Sequence, residues 1–322
     1  MNSVVWKTRD VQIWRTPSAV PPDLGRTVVV IGNFDGVHLG HQRVIERARD
    51  VAQSLGVTHV VAVTFDPHPM AVLRPEHAPV SLTTIEVRAE LLAAHGVEAV
   101  FVVEFDNDVA KWSPTQFVNE ILVDALHAQG VVVGANFRFG AKAAGDVATL
   151  RELGTQHDFT VVGVDLEGGP AVWSSTYVRT CLAAGDVEGA ALALGRPYFV
   201  RGVVQHGDQR GRELGFPTAN VPTQGIAAPA DGVYAGWLRR LDTAELYPAA
   251  ISVGTNPTFD GVRGRRVEGY CLDRDDLELY DVEVEISFVS RIRGMVKFEG
   301  IDALIEQMHD DVAKTRIALG VD

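Results

Sequence analysis

The stretch Gly32-Asn33-Phe34-Asp35-Gly36-Val37-His38-Leu39-Gly40-His41 decides the reading of this chain. It follows the apolar run Val28-Val29-Val30-Ile31 and leads into a helical pattern over about residues 42–52. A buried strand that ends in glycines and then enters a helix is a common frame for a phosphate site. The first N–H groups of a helix have no partner within it, and the helix dipole favours an anion there. His38 and His41 lie three apart, so in a first helical turn they share a face. Two imidazoles so placed can donate hydrogen bonds to phosphate oxygens as charge builds in a transition state. The same pair could also do no more than flank a helix cap. No Gly-Lys-Ser/Thr follows, so the stretch is not a Walker A loop, and its glycines do not fit the dinucleotide fingerprint G-x-G-x-x-G.

Outward from this point, strand and helix patterns alternate through the first half. Strands are expected over residues 27–31, 59–65, 97–103, 131–133 and 160–164. Thr83-Thr84-Ile85-Glu86 fits a capping box with Thr83 as the cap, opening a helix to about His95 that Gly96 ends. Ser113-Pro114 opens another helix, expected to reach about Ala128. A further helix covers about residues 147–153. Continuous apolar strands alternating with helices imply a parallel sheet covered on both faces, with ligands at the carboxyl ends of its strands. Beyond about Leu194 the texture changes. Strands over 199–205, 232–239, 249–253, 266–272 and 282–289 are separated by Gly, Pro and Asp. In the last of these, Glu283, Glu285 and Ser287 alternate with Val284, Ile286 and Phe288, so one face is wet. Short strands at this spacing predict an antiparallel barrel or sandwich. Residues 300–319 read as a helix with Ile301, Leu304, Ile305, Met308 and Val312 in one apolar stripe. The boundary between the halves falls near residues 185–197.

At 322 residues the chain has room for two domains. Its composition is globular, with 46% hydrophobic and 22% charged residues. A net charge of −13 argues against a general nucleic-acid or membrane-surface binder. Two cysteines, Cys181 and Cys271, imply no disulfide framework. Residues 1–15 lack a signal-peptide core, and no apolar run approaches membrane-spanning length, so a cytoplasmic location is expected.

Three later strings belong with the opening one. Phe65-Asp66-Pro67-His68-Pro69 follows the second strand, at the same end of the sheet. Gly134-Ala135-Asn136-Phe137-Arg138-Phe139-Gly140 follows the fourth. Its aromatics could pack beside a flat ring to which Asn136 offers donors and acceptors. Ser174-Ser175-Thr176-Tyr177-Val178-Arg179 is a cap run entering a helix, and its hydroxyls, N–H groups and guanidinium suit a triphosphate. Each alone also reads as an ordinary turn, loop or cap. In the second half, Gly211-Arg212-Glu213-Leu214-Gly215-Phe216-Pro217-Thr218-Ala219-Asn220 lies between two strand patterns. Thr218 and Asn220 are two apart, so in an extended segment they face the same way. A hydroxyl and an amide oxygen are hard ligands suited to Mg²⁺ carrying ATP phosphates.

The extended string G-x-F-D-G-x-H-x-G-H resembles the nucleotidyltransferase signature, in the form found in prokaryotic riboflavin kinase/FAD synthetases. Across residues 27–180 the strings stand in that family's order. Leu214-Gly215-Phe216-Pro217-Thr218-Ala219-Asn220 resembles the riboflavin kinase motif, so the likeness spans nearly the whole chain. It implies an α/β nucleotidyltransferase domain, Rossmann-like with a parallel sheet, over residues 1–186. An antiparallel β-barrel kinase domain with a C-terminal helix follows over 187–322.

The implied activities are phosphorylation of riboflavin to FMN and adenylylation of FMN to FAD, with ATP as co-substrate, Mg²⁺ as cofactor and pyrophosphate released. By the same resemblance His38 and His41 are catalytic. Gly32, Phe34, Asp35, Gly36, Ser174, Thr176, Arg179, Gly215 and Pro217 contact ATP or its phosphates. Pro67, His68, Asn136, Phe137 and Arg138 hold the flavin, and Asp35 could act through Mg²⁺ or water. FMN's phosphate, with a second pKa near about 6, is already largely a dianion at neutral pH and needs no strong base. Alignment and charge neutralisation suffice there. Riboflavin's hydroxyl, by contrast, needs a proton acceptor. The likeness places it at Glu268, in Arg265-Arg266-Val267-Glu268-Gly269-Tyr270, after Gly254-Thr255-Asn256-Pro257-Thr258-Phe259. Arg291-Ile292-Arg293-Gly294-Met295-Val296-Lys297-Phe298 continues it and receives no ligand assignment. The expected partners are therefore riboflavin, FMN, FAD and ATP, with no nucleic acid and no membrane. The alternatives are a chain with one active half, or a flavin-binding regulator without turnover.

Overall fold

The structure is a computed structural model, and it describes residues 11–165, 173–206, 215–223, 225–254 and 266–322. Two compact units divide the chain, residues 1–173 and 174–322.

In the first unit β2 (Thr27–Ile31) is buried at every residue. Apolar residues on both faces of one strand require cover on both faces, and the unit provides it. Six strands pair in parallel: β1 (Gln12–Trp14), β4 (Ala99–Glu104), β3 (His59–Asp66), β2, β5 (Ala128–Gly134) and β6 (Thr160–Val164), in that spatial order. Helix α1 (Leu39–Leu55) buries Val44, Ile45, Ala48, Val51 and Ala52. On the other face Val29, Ile31, Val61, Val63, Val131 and Val133 share a core with Phe117, Val118, Ile121, Leu122 and Leu150. The chain runs from β2 outward to β3 and β4, then returns to the opposite side of β2 for β5 and β6. The strand order therefore reverses between β2 and β5. In an open parallel sheet, this is where the loops after two neighbouring strands diverge and leave a crevice. The arrangement is Rossmann-like, as expected.

Several local expectations shift. The cap of α3 (Ile85–Ala94) is Thr84, whose hydroxyl accepts from Val87 N–H at 3.2 Å. Thr83 is turned inward instead. Ser113 does cap α4 (Pro114–Phe117), but the helix continues as a π-turn (Val118–Ala125) and ends there, and Ala128 already begins β5. β1 and the short helix α2 (Pro69–Leu73) carry too few residues to show a period. Helix α5 (Val147–Gln156) and β6 lie where they are predicted.

In the second unit, α6 (Ser175–Ala184) and α7 (Val187–Leu194) precede the strands. The segment read as a domain boundary is thus largely helix α7. Six antiparallel strands follow, in the order β7 (Tyr198–Val203), β12 (Glu283–Arg293), β9 (Gly232–Arg240), β10 (Leu246–Gly254), β11 (Arg266–Cys271) and β8 (Thr218–Pro222). Gln205 N–H donates to the Asn220 carbonyl at 2.9 Å, drawing the two edges of the sheet toward closure as a curled barrel. Val284, Ile286 and Phe288 are fully buried, as their alternation requires. In the last helix, α8 (Ile301–Leu319), Leu304, Ile305, Met308 and Val312 of the predicted stripe are half-buried, Ile301 is 64% exposed, and the buried positions are Asp311 and Thr315. Asp311 accepts two hydrogen bonds from Arg293 of β12, at 2.8 and 2.7 Å, so a polar clamp docks this helix. Both cysteines are buried, and burial pushes the Cys271 thiol up to about 12. Among the described residues no helix is long and apolar enough to cross a membrane.

Candidate active sites

The loop after β2 is built from unusual backbone. Phe34 and Val37 have φ of 48° and 44°, and Gly36 has 81°. Side chains with a Cβ rarely tolerate that region, so the two non-glycine residues must be held by their surroundings. Both are nearly fully buried. The turn delivers His38 to the N-cap of α1 and His41 to its first turn. Their rings stack with centroids 3.6 Å apart, and the Phe34 ring meets His41 edge-on at 5.1 Å. Gly40 permits this packing, because a Cβ there would lie 3.0 Å from His38 Cε1.

His41 keeps a sliver of accessible surface, yet protein atoms crowd it on nearly every side. That burial, then His38 and then Arg88, hold its pKa well below the usual 6.5. A neutral imidazole follows, which acts as a hydrogen-bond donor rather than as a resident cation. Its Nδ1 is buried without a hydrogen-bond partner among the described residues.

Asp35, grouped by resemblance with the phosphate contacts, has a carboxylate that points into the protein. Oδ1 and Oδ2 accept from Leu82 N–H at 2.9 and 3.0 Å, and Oδ1 accepts from Thr83 N–H and Oγ1, each at 3.1 Å. Arg88 Nη2 lies 3.4 Å from Oδ1. Asp35 is 1% exposed, so this structure gives its carboxylate no route to a phosphate. Phe34 is equally enclosed, which leaves its backbone as the group that could meet a ligand.

Asn33 links this loop to the next one, its side-chain amide nitrogen lying 3.0 Å from His68 Nε2. His68 caps α2, with Nδ1 accepting from Met70 N–H at 3.2 Å. Pro67, before it, is exposed. After β5, the strand beside β2, the Phe137 and Phe139 rings stack at 5.5 Å, and Phe139 is buried. Asn136 is exposed, and Arg138 lies 3.3 Å from Asp146. The loops after β2, β3 and β5 therefore all sit at the carboxyl end of the sheet, around the reversal in strand order. Sequence reading misses Asn33, Thr64, Thr83 and Arg88. Asn33 and Thr83 lie in quoted strings that give them no site role, Thr64 and Arg88 lie in none, and only the fold shows them converging.

In the second unit, Ser174 caps α6 and accepts from Tyr177 N–H at 3.1 Å. Thr176 is exposed, and Arg179 is half-buried one turn later. In the barrel, Glu268 stands directly across from Asn220 of β8 on one side and Ser252 of β10 on the other. Thr218 faces Tyr270 two pairs further along. Residues directly opposite in an antiparallel pair project to the same face. Thr218, Asn220, Glu268, Tyr270 and Ser252 thus share the half-exposed side, while Ala219, Val221, Val267 and Val253 fill the core. Phe216, before Pro217, packs edge-on against Tyr270 and against His309 of α8, at 5.1 and 5.2 Å. Gly215 has φ of 86° at the entry to this segment. Ser252 is a neighbour that no motif indicates. Residues 207–214 and 255–265, with the strings read there, lie outside the described residues.

Comparison with known proteins is specific for both halves. The FAD synthetase family profile matches residues 20–176, and the riboflavin kinase profile matches residues 194–319. A bifunctional riboflavin kinase/FMN adenylyltransferase of Bacillus subtilis is 36% identical over 308 residues, 94% of this chain and 96% of its own. One from Escherichia coli is 34% identical over 296 residues, 91% of this chain and 93% of its own. Among solved structures, a Streptococcus pneumoniae chain described as a macrolide-efflux protein has a TM-score of 0.84 at 30% identity, covering 95% of this chain and 98% of that one.

Proposed function

This chain belongs to the bifunctional riboflavin kinase/FMN adenylyltransferase family, and from that premise we propose which of its residues carry each reaction. The enzyme transfers the γ-phosphoryl group of ATP to riboflavin, giving FMN and ADP. It then joins FMN to the adenylyl group of ATP, giving FAD and pyrophosphate. Adenylylation is assigned to residues 1–186 and phosphorylation to 187–322. Compactness divides the chain earlier, at 173/174, because helix α6 packs with the second unit. The motif order is what associates its cap run with the first reaction.

In adenylylation an FMN phosphate oxygen attacks the α-phosphorus of ATP and pyrophosphate leaves. The nucleophile arrives ionised, so the protein aligns it and stabilises the charge that develops. His38 and His41 donate hydrogen bonds to phosphate oxygens, helped by the N–H groups at the start of α1, while Gly32 and Gly36, whose own N–H groups go to the Val63 carbonyl and Thr83 Oγ1, let the nucleotide approach closely. A neutral His41 costs little to keep buried before ATP arrives, and an incoming polyanion raises its pKa. Ser174, Thr176 and Arg179 hold further ATP oxygens. Pro67, His68, Asn136, Phe137 and Arg138 bound the flavin. Asp35 holds the loop in shape.

In phosphorylation Glu268 accepts the proton of riboflavin's primary hydroxyl as its oxygen attacks the γ-phosphorus. The oxygens of Thr218 and Asn220 would hold a hard divalent cation such as Mg²⁺, which when bound with ATP would supply neutralisation of phosphate charge. Gly215 and Pro217 line the approach of the nucleotide. A cytoplasmic setting, where ATP is supplied and both cysteines stay reduced, accords with this chemistry.

The observation that carries the assignment is the pairing of two unlike sites. One is a stacked histidine pair at the reversal point of a parallel sheet, and the other is a strand glutamate, Glu268, on one face with Thr218 and Asn220. The test is chromatography of riboflavin incubated with ATP, Mg²⁺ and the protein. FMN appearing first and FAD after it is the expected course. FMN accumulating without FAD would remove the histidine site from the assignment, and no conversion of riboflavin would remove Glu268.

A further inference from the structure

Arg88 is 6% exposed, lies in helix α3 and belongs to no recognised motif, yet its guanidinium reaches the loop that leads into the histidine pair. Nη1 donates to Thr64 Oγ1 at 3.2 Å, and that hydroxyl donates to the Asn33 carbonyl at 3.0 Å. Nη2 reaches Asp35 Oδ1 and the Thr83 carbonyl, each at 3.4 Å, and Nε reaches Thr83 Oγ1 at 3.5 Å. Thr83 Oγ1 in turn accepts from Gly36 N–H at 3.4 Å. One side chain thereby touches β3, the start of α3 and the loop after β2. Through Asn33 it is also connected to His68.

A pair of buried ions contributes little net stability over packed apolar side chains of the same volume. What a guanidinium adds is a rigid fork of donors at fixed angles. The place where that fork is used matters. The loop it grips carries three residues at positive φ, two of them with side chains, immediately before His38. Backbone of this kind persists only where its surroundings over-determine it.

We propose that Arg88 is a positioning residue for adenylyl transfer, its guanidinium clamping the loop Asn33–Val37 in the conformation that presents His38 and His41 to the reacting phosphates. The inference rests on the assignment of those histidines to adenylylation. Arg88 does not touch substrate. It acts through Asp35, Thr83 and Thr64, and its loss registers as misplacement of the histidine rings rather than as weaker binding. Its charge also contributes to keeping His41 neutral.

The test uses the full chain and compares Arg88→Lys, Arg88→Met, Thr64→Val and the double variant His38→Ala/His41→Ala. Both activities are measured, with kcat and KM for FMN and ATP resolved separately. Arg88→Met should lower kcat for FAD formation about 100-fold, the scale on which a misplacement of about 1 Å acts. Its KM values should stay within about threefold of the parent, and riboflavin phosphorylation should be unchanged. Lysine keeps the charge but cannot span the same acceptors, so Arg88→Lys should recover about tenfold of that loss. Thr64→Val conserves shape while cutting one arm of the clamp, and should lower kcat about tenfold.

A rise confined to KM, or kcat within twofold of the parent in Arg88→Met, would overturn the proposal. Should Arg88→Met fail to fold by circular dichroism, unimpaired Arg88→Lys and Thr64→Val variants would overturn it equally. The histidine double variant separates the two levels. Slow FAD formation there with normal Arg88 variants rejects the clamp alone, whereas normal FAD formation there rejects the histidine assignment beneath it.

Discussion

His41 is held neutral by burial first, then by His38 and Arg88, and this has a defined consequence for stability. A histidine whose native pKa is depressed takes up a proton on unfolding at any pH between its two pKa values. Its contribution is therefore intact above about 6.5, and stability falls as pH drops below that toward the lowered native value. Thermal melts of the parent and of His41→Gln, compared between about pH 7.5 and pH 5, should show a steeper acid loss in the parent. Parallel curves would mean that His41 titrates normally. Among single residues, His38, His41 and Glu268 stand out as candidates because each sits in a string that resembles the family's. Asp35 shows where pattern stops. It lies inside the most specific string, and only the fold reveals that its carboxylate serves Leu82, Thr83 and Arg88. Removing one partner of a buried ion pair leaves the other uncompensated, so Asp35→Ala should destabilise the first unit by about 3–5 kcal/mol in urea denaturation. A loss below about 1 kcal/mol would show the pair to be solvated.

The elements that could be read correctly were those marked by a continuous apolar run or by a cap with a helical period. β2 and β6 are largely apolar runs of five residues each, and α5 follows the Asp146 cap. β1 and β8 have only three and five residues and mix polar with apolar ones, and the five-residue α2 is shorter than two helical turns, so none shows a period. The cap of α3 moved by one because adjacent threonines are equivalent in sequence, and Thr83 is already engaged by Asp35. The C-terminal helix is only partly legible. Leu304, Ile305, Met308 and Val312 of its apolar stripe are half-buried, yet its most buried residues are polar, and Arg293 clamps Asp311. Asp311→Ala should cost about 3 kcal/mol or more and loosen α8, since it strands a guanidinium that is largely enclosed. Its readout is faster amide hydrogen exchange along residues 301–319 with exchange in the parallel-sheet unit unchanged. Uniform exchange in both units would contradict the clamp.

At the scale of the whole molecule, each unit has a core and a sheet of its own, parallel in one and antiparallel in the other. Their chemistry differs as their substrates do. An ionised phosphate nucleophile asks only for alignment and charge stabilisation, whereas an alcohol asks for a proton acceptor. That difference accords with the proposed roles: beside the histidines, among the described residues, the Asp35 carboxylate is turned inward. It also makes the account's central claim, two separately built sites on one chain, directly testable. The decisive measurement follows FMN and FAD made by Glu268→Ala and by His38→Ala/His41→Ala, each supplied in turn with riboflavin and with FMN. Glu268→Ala should form no FMN from riboflavin yet convert supplied FMN to FAD at the parental rate. The histidine variant should accumulate FMN and form FAD slowly. Loss of both activities in either folded variant would contradict the account.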